Sequence, residues 1–215
     1  MINICQKRNL TAMTNKNAKI TLSDKELALV TNSDWILTKR NIIDKVIQLF
    51  QSSIAGIDEQ LKNKQHLPDQ WQSVNPKITK GENYQGLPYV VLDHPAVFNK
   101  ENALAIRTIF HWGNNISVHF YVSGPILQKI SGALHKNWQR IQAKEYFVCS
   151  NTTPWEHHFG IDNYTPATIV SSAEFISILE QRRFCKMAKK IPLQEWNNIH
   201  SFIQISVEEI LSFIE

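Results

Sequence analysis

The sequence predicts an α+β protein in which an antiparallel sheet, a hairpin at about 103–123 plus a strand at about 88–93, is packed by flanking helices. Three observations predict it. Strict apolar–polar alternation is concentrated in the middle of the chain, most densely from Ala103 to Gly124. Apolar residues on either side recur at three- and four-residue spacing. The strands follow one another through short turns rather than helical crossovers, which argues against a doubly wound α/β fold.

Residues 1–20 are polar, basic and weakly patterned, and are expected to form a flexible tail before a single domain spanning 21–215. Ser23 and Glu26 fit a capping box that opens a short helix through Val30. Thr31–Asp34 breaks it, and a long helix from Trp35 to about Lys62 carries Ile36, Ile43, Val46, Phe50, Ile54, Ile57 and Leu61 on one stripe. A connector from Lys62 to Pro76 and a turn-rich lead-in at 81–88 precede the strand Tyr89–Asp93. His94-Pro95 is expected to end that strand, because proline cannot donate to a ladder.

The hairpin can be phased from its residues. Leu104, Ile106, Phe110 and Trp112, with Thr108, share a face with Ile116, Val118, Phe120 and Val122 only if opposed residue numbers sum to an even value. A three-residue loop, Gly113-Asn114-Asn115, satisfies this and opposes Trp112 to Ile116 and Phe110 to Val118. The other face then holds Arg107, His111, Ser117, His119 and Tyr121, with His111 and His119 as diagonal neighbours.

Gly124-Pro125 starts a helix to about Lys144, and Glu145–Cys149 is a further strand candidate. The segment 150–164, SNTTPWEHHFGIDNY, reads as a loop able to fold back over the sheet. A second capping box, Ser171 with Glu174, opens a helix to about Lys189. Pro192 opens another through about Phe202, and Ser206 caps a last one to Ile214.

At Asn83-Tyr84-Gln85-Gly86-Leu87-Pro88, Leu92-Asp93-His94-Pro95 and Phe110-His111-Trp112-Gly113 the chain resembles uncharacterised bacterial proteins of the kind found in Bacteroidetes, over about residues 35–124. The resemblance implies no activity and assigns no functional residue.

Composition narrows the function classes. A hydrophobic content of 43%, a charged content of 20% and a net charge of +4 are those of an ordinary, mildly basic globular protein, which permits an anionic partner without demanding one. Cys5, Cys149 and Cys185 form no CxxC pair, which fits a reducing, cytoplasmic setting. The N-terminus lacks the apolar core of a secretory signal, and no apolar run reaches membrane-span length. No Walker A, GxGxxG or GxSxG pattern occurs. Basic residues are scattered, so nucleic acid is not the expected partner.

Three constellations carry chemistry. His111, His119 and Asp93, joined by Glu156, His157 and His158, offer imidazole and carboxylate ligands for a divalent metal or for acid–base work, although their spacing matches no metal signature. The simpler alternative is that His111 and His119 are polar-face residues bonded to Ser117, Tyr121 and backbone. Trp155 beside His157 and His158 marks a binding surface or a loop anchor, and Cys149 beside them is a nucleophile or a buried thiol. Arg107 with Tyr121, joined by Tyr89, could grip a carboxylate or phosphate, or could cover a helix-packed face and pair with Asp93 or Glu82. The expected function is a non-catalytic binding module for a small molecule or protein, with no cofactor, whose ligand surface comprises Arg107, His111, His119, Tyr121, Trp155 and His157. A metal- or histidine-dependent hydrolase and a toxin–antitoxin or immunity-type interaction protein are the alternatives.

Overall fold

The computed structural model describes residues 20–62, 64, 71, 74–99 and 102–215. The expected tail, apart from Ile20, and most of the 62–76 connector lie outside the described residues. The chain divides into two units, Met1–Asn41 and Ile42–Glu215. In the first, α1 (Asp24–Val30) opens on the expected capping box, with Ser23 Oγ accepting from the Glu26 amide and the Glu26 carboxylate accepting from the Ser23 amide. The long helix α2 (Ser33–Lys62) begins there, and from Ile43 onward it buries Ile43, Val46, Phe50, Ile57 and Leu61, the stripe read from the sequence.

In the second unit the described strands form one seven-stranded sheet, every pairing antiparallel: β1 (Lys77–Tyr84), β2 (Leu87–Phe98), β3 (Ala103–His111), β4 (Asn115–Ser123), β5 (Phe147–Cys149), β6 (Tyr164–Pro166) and β7 (Phe184–Pro192). Their spatial order is β1-β2-β3-β4-β7-β5-β6. The α+β class and the antiparallel sheet therefore stand. On one face, Leu104, Ile106, Phe110, Ile116, Val118, Phe120 and Val122 pack into the main core. Helices α3 (Pro125–Lys136), α4 (Trp138–Ala143), α5 (Ser172–Gln181) and α6 (Ile199–Phe213) contribute the rest, including a Trp138–Phe175 ring stack at 4.0 Å. Gly56 brings α2 close to α6: a Cβ there would lie 2.5 Å from Gln204, whose amide donates to the Ser53 carbonyl.

Several elements differ from the sequence expectation, each for a local reason. β1 lies in the stretch read as connector and lead-in. It is a mostly exposed edge strand, so its alternation carries no apolar signal. It turns into β2 through Gln85 and Gly86, both at positive φ, as a two-residue hairpin turn requires. β2 does not stop at His94-Pro95. The pair forms a bulge opposite β3 between Asp93↔Arg107 and Ala96↔Ala105, beyond the end of the β1 ladder, where a missing N–H breaks no bond.

The hairpin keeps its expected phase and three-residue loop, but the loop is Trp112-Gly113-Asn114 and the register is displaced by two. The Asn114 amide donates to the His111 carbonyl, so Gly113, at φ +72°, is the third residue of the turn, where type II geometry wants a left-handed residue. The helix expected to Lys144 breaks at Asn137, whose side-chain amide donates to the Ala133 and Phe213 carbonyls. The helix expected to Lys189 ends at Gln181, and FCKMAKKIP becomes β7 in the interior of the sheet. The two C-terminal helices are a 3-10 stretch (Leu193–Asn198) and α6, inside which Ser206 is buried rather than capping.

Candidate functional site

The second face of the sheet is built from Tyr89, Val91 and Asp93 of β2, Arg107, Ile109 and His111 of β3, Ser117, His119 and Tyr121 of β4, and Phe184, Lys186 and Ala188 of β7. As the sequence suggested, the 150–163 loop folds back over it. The loop is held at three places. Arg182 donates to the Cys149, Ser150 and Asn151 carbonyls. Lys186 Nζ donates to the carbonyls of Pro154 (2.8 Å) and Glu156 (2.5 Å). Tyr84 Oη accepts from the amides of His157 (2.7 Å) and His158 (3.0 Å) and lies 3.2 Å from Glu156 Oε2. A one-residue irregularity in β1 between Gly81 and Tyr84 turns Tyr84 onto this face.

Arg107 is the centre of the arrangement. Its Nε and Nη2 donate to the two oxygens of Asp93 at 2.7 and 2.9 Å, a bidentate pair. Its Nη1 lies 3.2 Å from His157 Nε2. His157 Nδ1 in turn lies 3.1 Å from Lys186 Nζ. Two recesses open beside the guanidinium, and Arg107 and Trp155 line both. One, of 290 Å³, is walled by Thr79, Tyr84, Tyr89, Val91, Ile109 and His157. The other, of 410 Å³, is walled by Val74, Asn75, Lys77, Asp93, Ala96 and Phe98. Gly81 shapes the first: a Cβ there would meet the Tyr89 ring at 2.5 Å, so only glycine lets that ring lie across β1. The Trp155 side of the site reaches solvent, at 58% exposure.

Burial is the largest influence on the protonation states. His119, 1% exposed, sits between Ser117 Oγ and Tyr164 Oη at 2.8 Å each. Burial, then the neighbouring Lys186 and His157, hold it well below the ordinary histidine range. His157 is pushed well below that range by burial and by Lys186 and Arg107. Burial also lowers His111, which lies against the Tyr84 carbonyl. Lys186 is brought down to about 7, chiefly by burial. Burial pushes the Cys149 thiol up, and its sulfur lies 3.9 Å from Asn151 O and Asn163 Oδ1, so no Cys–His nucleophile is assembled.

Of the residues singled out from sequence, Arg107, Trp155 and His157 come together at one recess. His111 and His119 share the face but are not diagonal neighbours, because the two-residue register shift opposes His119 to Arg107 and His111 to Asn115. They are linked instead through rings: His111 to Tyr84 at 5.2 Å, Tyr84 to His157 at 6.2 Å, and His157 to His119 at 5.0 Å. Tyr121 lines a separate 660 Å³ recess with Arg182, Arg183 and Phe184. The expected metal set of His111, His119 and Asp93 does not converge, since Asp93 is engaged by Arg107 and His119 by two hydroxyls. Among the described residues no group of three or more His, Cys, Asp or Glu is placed to hold a metal ion. Sequence reading missed Lys186 and Tyr84. Lys186 sits in a segment read as helix, and Tyr84 in one read as turn.

The fold and site together define a helix-backed antiparallel sheet that carries, under a clamped loop, an arginine-centred recess with aromatic walls. Comparison with protein families, with characterised proteins and with solved structures finds no match, so the chemistry of the recess alone supports a functional reading. No described helix is long and apolar enough to cross a membrane.

Proposed function

We propose that the protein is a non-catalytic binding module for a small organic anion, a carboxylate or phosphate on a planar apolar body. The observation that supports this is the Arg107 guanidinium. Asp93 satisfies one edge of it, while Nη1 lies 3.2 Å from His157 Nε2, and Arg107 and His157 both line the 290 Å³ recess, whose described lining residues include no carboxylate. A planar cation pre-oriented by a bidentate partner suits a carboxylate or phosphate oxygen. Tyr89, Tyr84 and Trp155 supply flat apolar walls, the usual composition of a small-molecule site. The neutral histidines and raised thiol favour binding over catalysis: His119 is closed off between two hydroxyls, His157 is flanked by Arg107 and Lys186, and the Cys149 sulfur faces Asn151 and Asn163 rather than an imidazole.

The test is a titration with benzoate and phenyl phosphate, using neutral benzamide as control, followed by backbone and side-chain NMR shifts. Saturable shifts at Arg107, Trp155 and His157 with the anions alone are the expected result. Trp155→Ala and Arg107→Lys should each weaken binding by roughly tenfold, about 1.4 kcal/mol. Anions that leave those three residues unmoved would refute the reading.

A further inference from the structure

The hydrogen-bond donors around His157 do not add up unless Lys186 is uncharged. A neutral imidazole has one N–H and one acceptor nitrogen, whereas guanidinium and ammonium groups only donate. Here Nε2 faces Arg107 Nη1 at 3.2 Å and Nδ1 faces Lys186 Nζ at 3.1 Å. Arg107 cannot lose its proton, so Nε2 must accept and the ring proton must sit on Nδ1. Nδ1–H then needs an acceptor at Nζ. Lys186 already spends two N–H groups on the Pro154 and Glu156 carbonyls. An ammonium would aim its third N–H at Nδ1–H, but an amine aims its lone pair there, and every group is satisfied.

We infer that Lys186 is held as a neutral amine accepting the His157 Nδ1–H, and that its protonation arms the Arg107 recess for an anion. A proton on Nζ forces Nδ1 to accept and moves the ring proton to Nε2. Arg107 Nη1–H and His157 Nε2–H then both donate beside the recess they line, and an anionic oxygen is the acceptor that satisfies both. Anion binding is thereby coupled to uptake of one proton, and the anion holds the charge that the buried ammonium introduces. This rests on the reading of the recess as an anion site.

The surroundings of Lys186 agree with a neutral amine. It is 1% exposed. Burial is the dominant cause of its lowered value, followed by an opposing influence from Cys149 of β5, the positive charge of Arg107 of β3, and a smaller opposing influence from Glu156 of the loop. His119 and Tyr121 of β4 and the Tyr164 ring of β6, 5.3 Å from Nζ, complete the shell. Linkage requires reciprocity: if protonation favours the anion, affinity rises as pH falls toward 7, by up to about tenfold per pH unit above that value.

Two measurements on the full chain decide it. The first needs no ligand: 13Cε-lysine and imidazole 15N spectra of the wild-type protein from about pH 6 to about pH 9. One lysine should titrate near neutrality, and the His157 signals should pass from the Nδ1–H to the Nε2–H form in the same step. The lysine signal is assigned by its loss in Lys186→Arg, and the wild-type spectrum decides whether or not that variant folds. A Lys186 signal charged throughout, or a His157 ring in the Nε2–H form at high pH, overturns the inference. The second adds benzoate at about pH 8 in weak buffer and records the pH drift. Uptake approaching one proton per benzoate bound is the expected result. Benzoate that binds without proton uptake overturns the coupling and leaves the binding reading intact. A lysine and imidazole that switch as described, in a protein to which benzoate does not bind, would instead sink the anion reading.

Discussion

Replacing Tyr84 by Phe removes the hydroxyl that seats the loop. The ring and its packing against Tyr89 and His111 stay, and only the hydroxyl goes. That oxygen accepts two consecutive loop amides, His157 at 2.7 Å and His158 at 3.0 Å, and lies within 3.2 Å of Glu156 Oε2. An amide left without an acceptor costs about 1–3 kcal/mol when buried. Both loop residues are half-buried, so water relieves part of the loss, which puts the total at about 2–4 kcal/mol. The loop can escape the penalty by opening locally, so the loss should appear first in local rather than global stability. Native-state hydrogen exchange reads it. Protection of the His157 and His158 amides should fall by about 30- to 1,000-fold, with β3 and β4 amides much less affected. Unchanged protection at 157 and 158 would refute the reasoning.

Stability should fall with acid below about pH 6.5, because His119 and His157 stay neutral in the folded protein while the unfolded chain takes up their protons. Each contributes a slope of up to about 1.4 kcal/mol per pH unit, measurable by urea titration at several pH values, and a flat profile from about 6.5 to 5 would contradict it. The Lys186 contribution has its own window. With its folded value lowered to about 7, its part of the stability should rise with pH from there to the ordinary lysine range, and Lys186→Met should lessen that rise. Gly81→Ala should displace the Tyr89 ring, which its Cβ would meet at 2.5 Å, and weaken benzoate binding more than it lowers Tm. Cys149 and Cys185 should resist thiol reagents in the native protein, since burial pushes both thiols up, Cys185 to about 12; mass mapping of rapid modification at either would contradict this.

Where one physical rule dominated, the sequence could be read. Both capping boxes, the stripe of α2 from Ile43 onward and the two-faced hairpin came from side-chain period or from local hydrogen bonding, and they stand as read, whereas Ile36, placed on the same stripe, is exposed. The hairpin register did not, because parity fixes only which face a residue occupies. The turn geometry at Gly113 chooses among registers of equal parity. β7 was hidden for a different reason. Lys186, Lys189 and Lys190 interrupt the apolar pattern on both faces, and Lys186 is buried only because Pro154, Glu156 and His157 gather round its amine. A lysine buried by a loop that is remote in sequence leaves no periodic trace. Tyr84 was missed likewise, since the irregularity that turns it onto the site face breaks the alternation that would have placed it. Arg107, Trp155 and His157 were found because their chemistry was conspicuous on a polar face and in a polar loop. The Asp93 pair that orients Arg107 was visible as one of two alternatives.

The recess beside Arg107 is the proposed seat of an organic anion. The most direct measurement follows the Arg107 Nε–Hε, Trp155 indole and His157 imidazole signals together during a benzoate titration at about pH 6.5, with benzamide in parallel. All three should shift along one saturable curve with benzoate and stay still with benzamide. Signals that move equally with both compounds, or with neither, would contradict it.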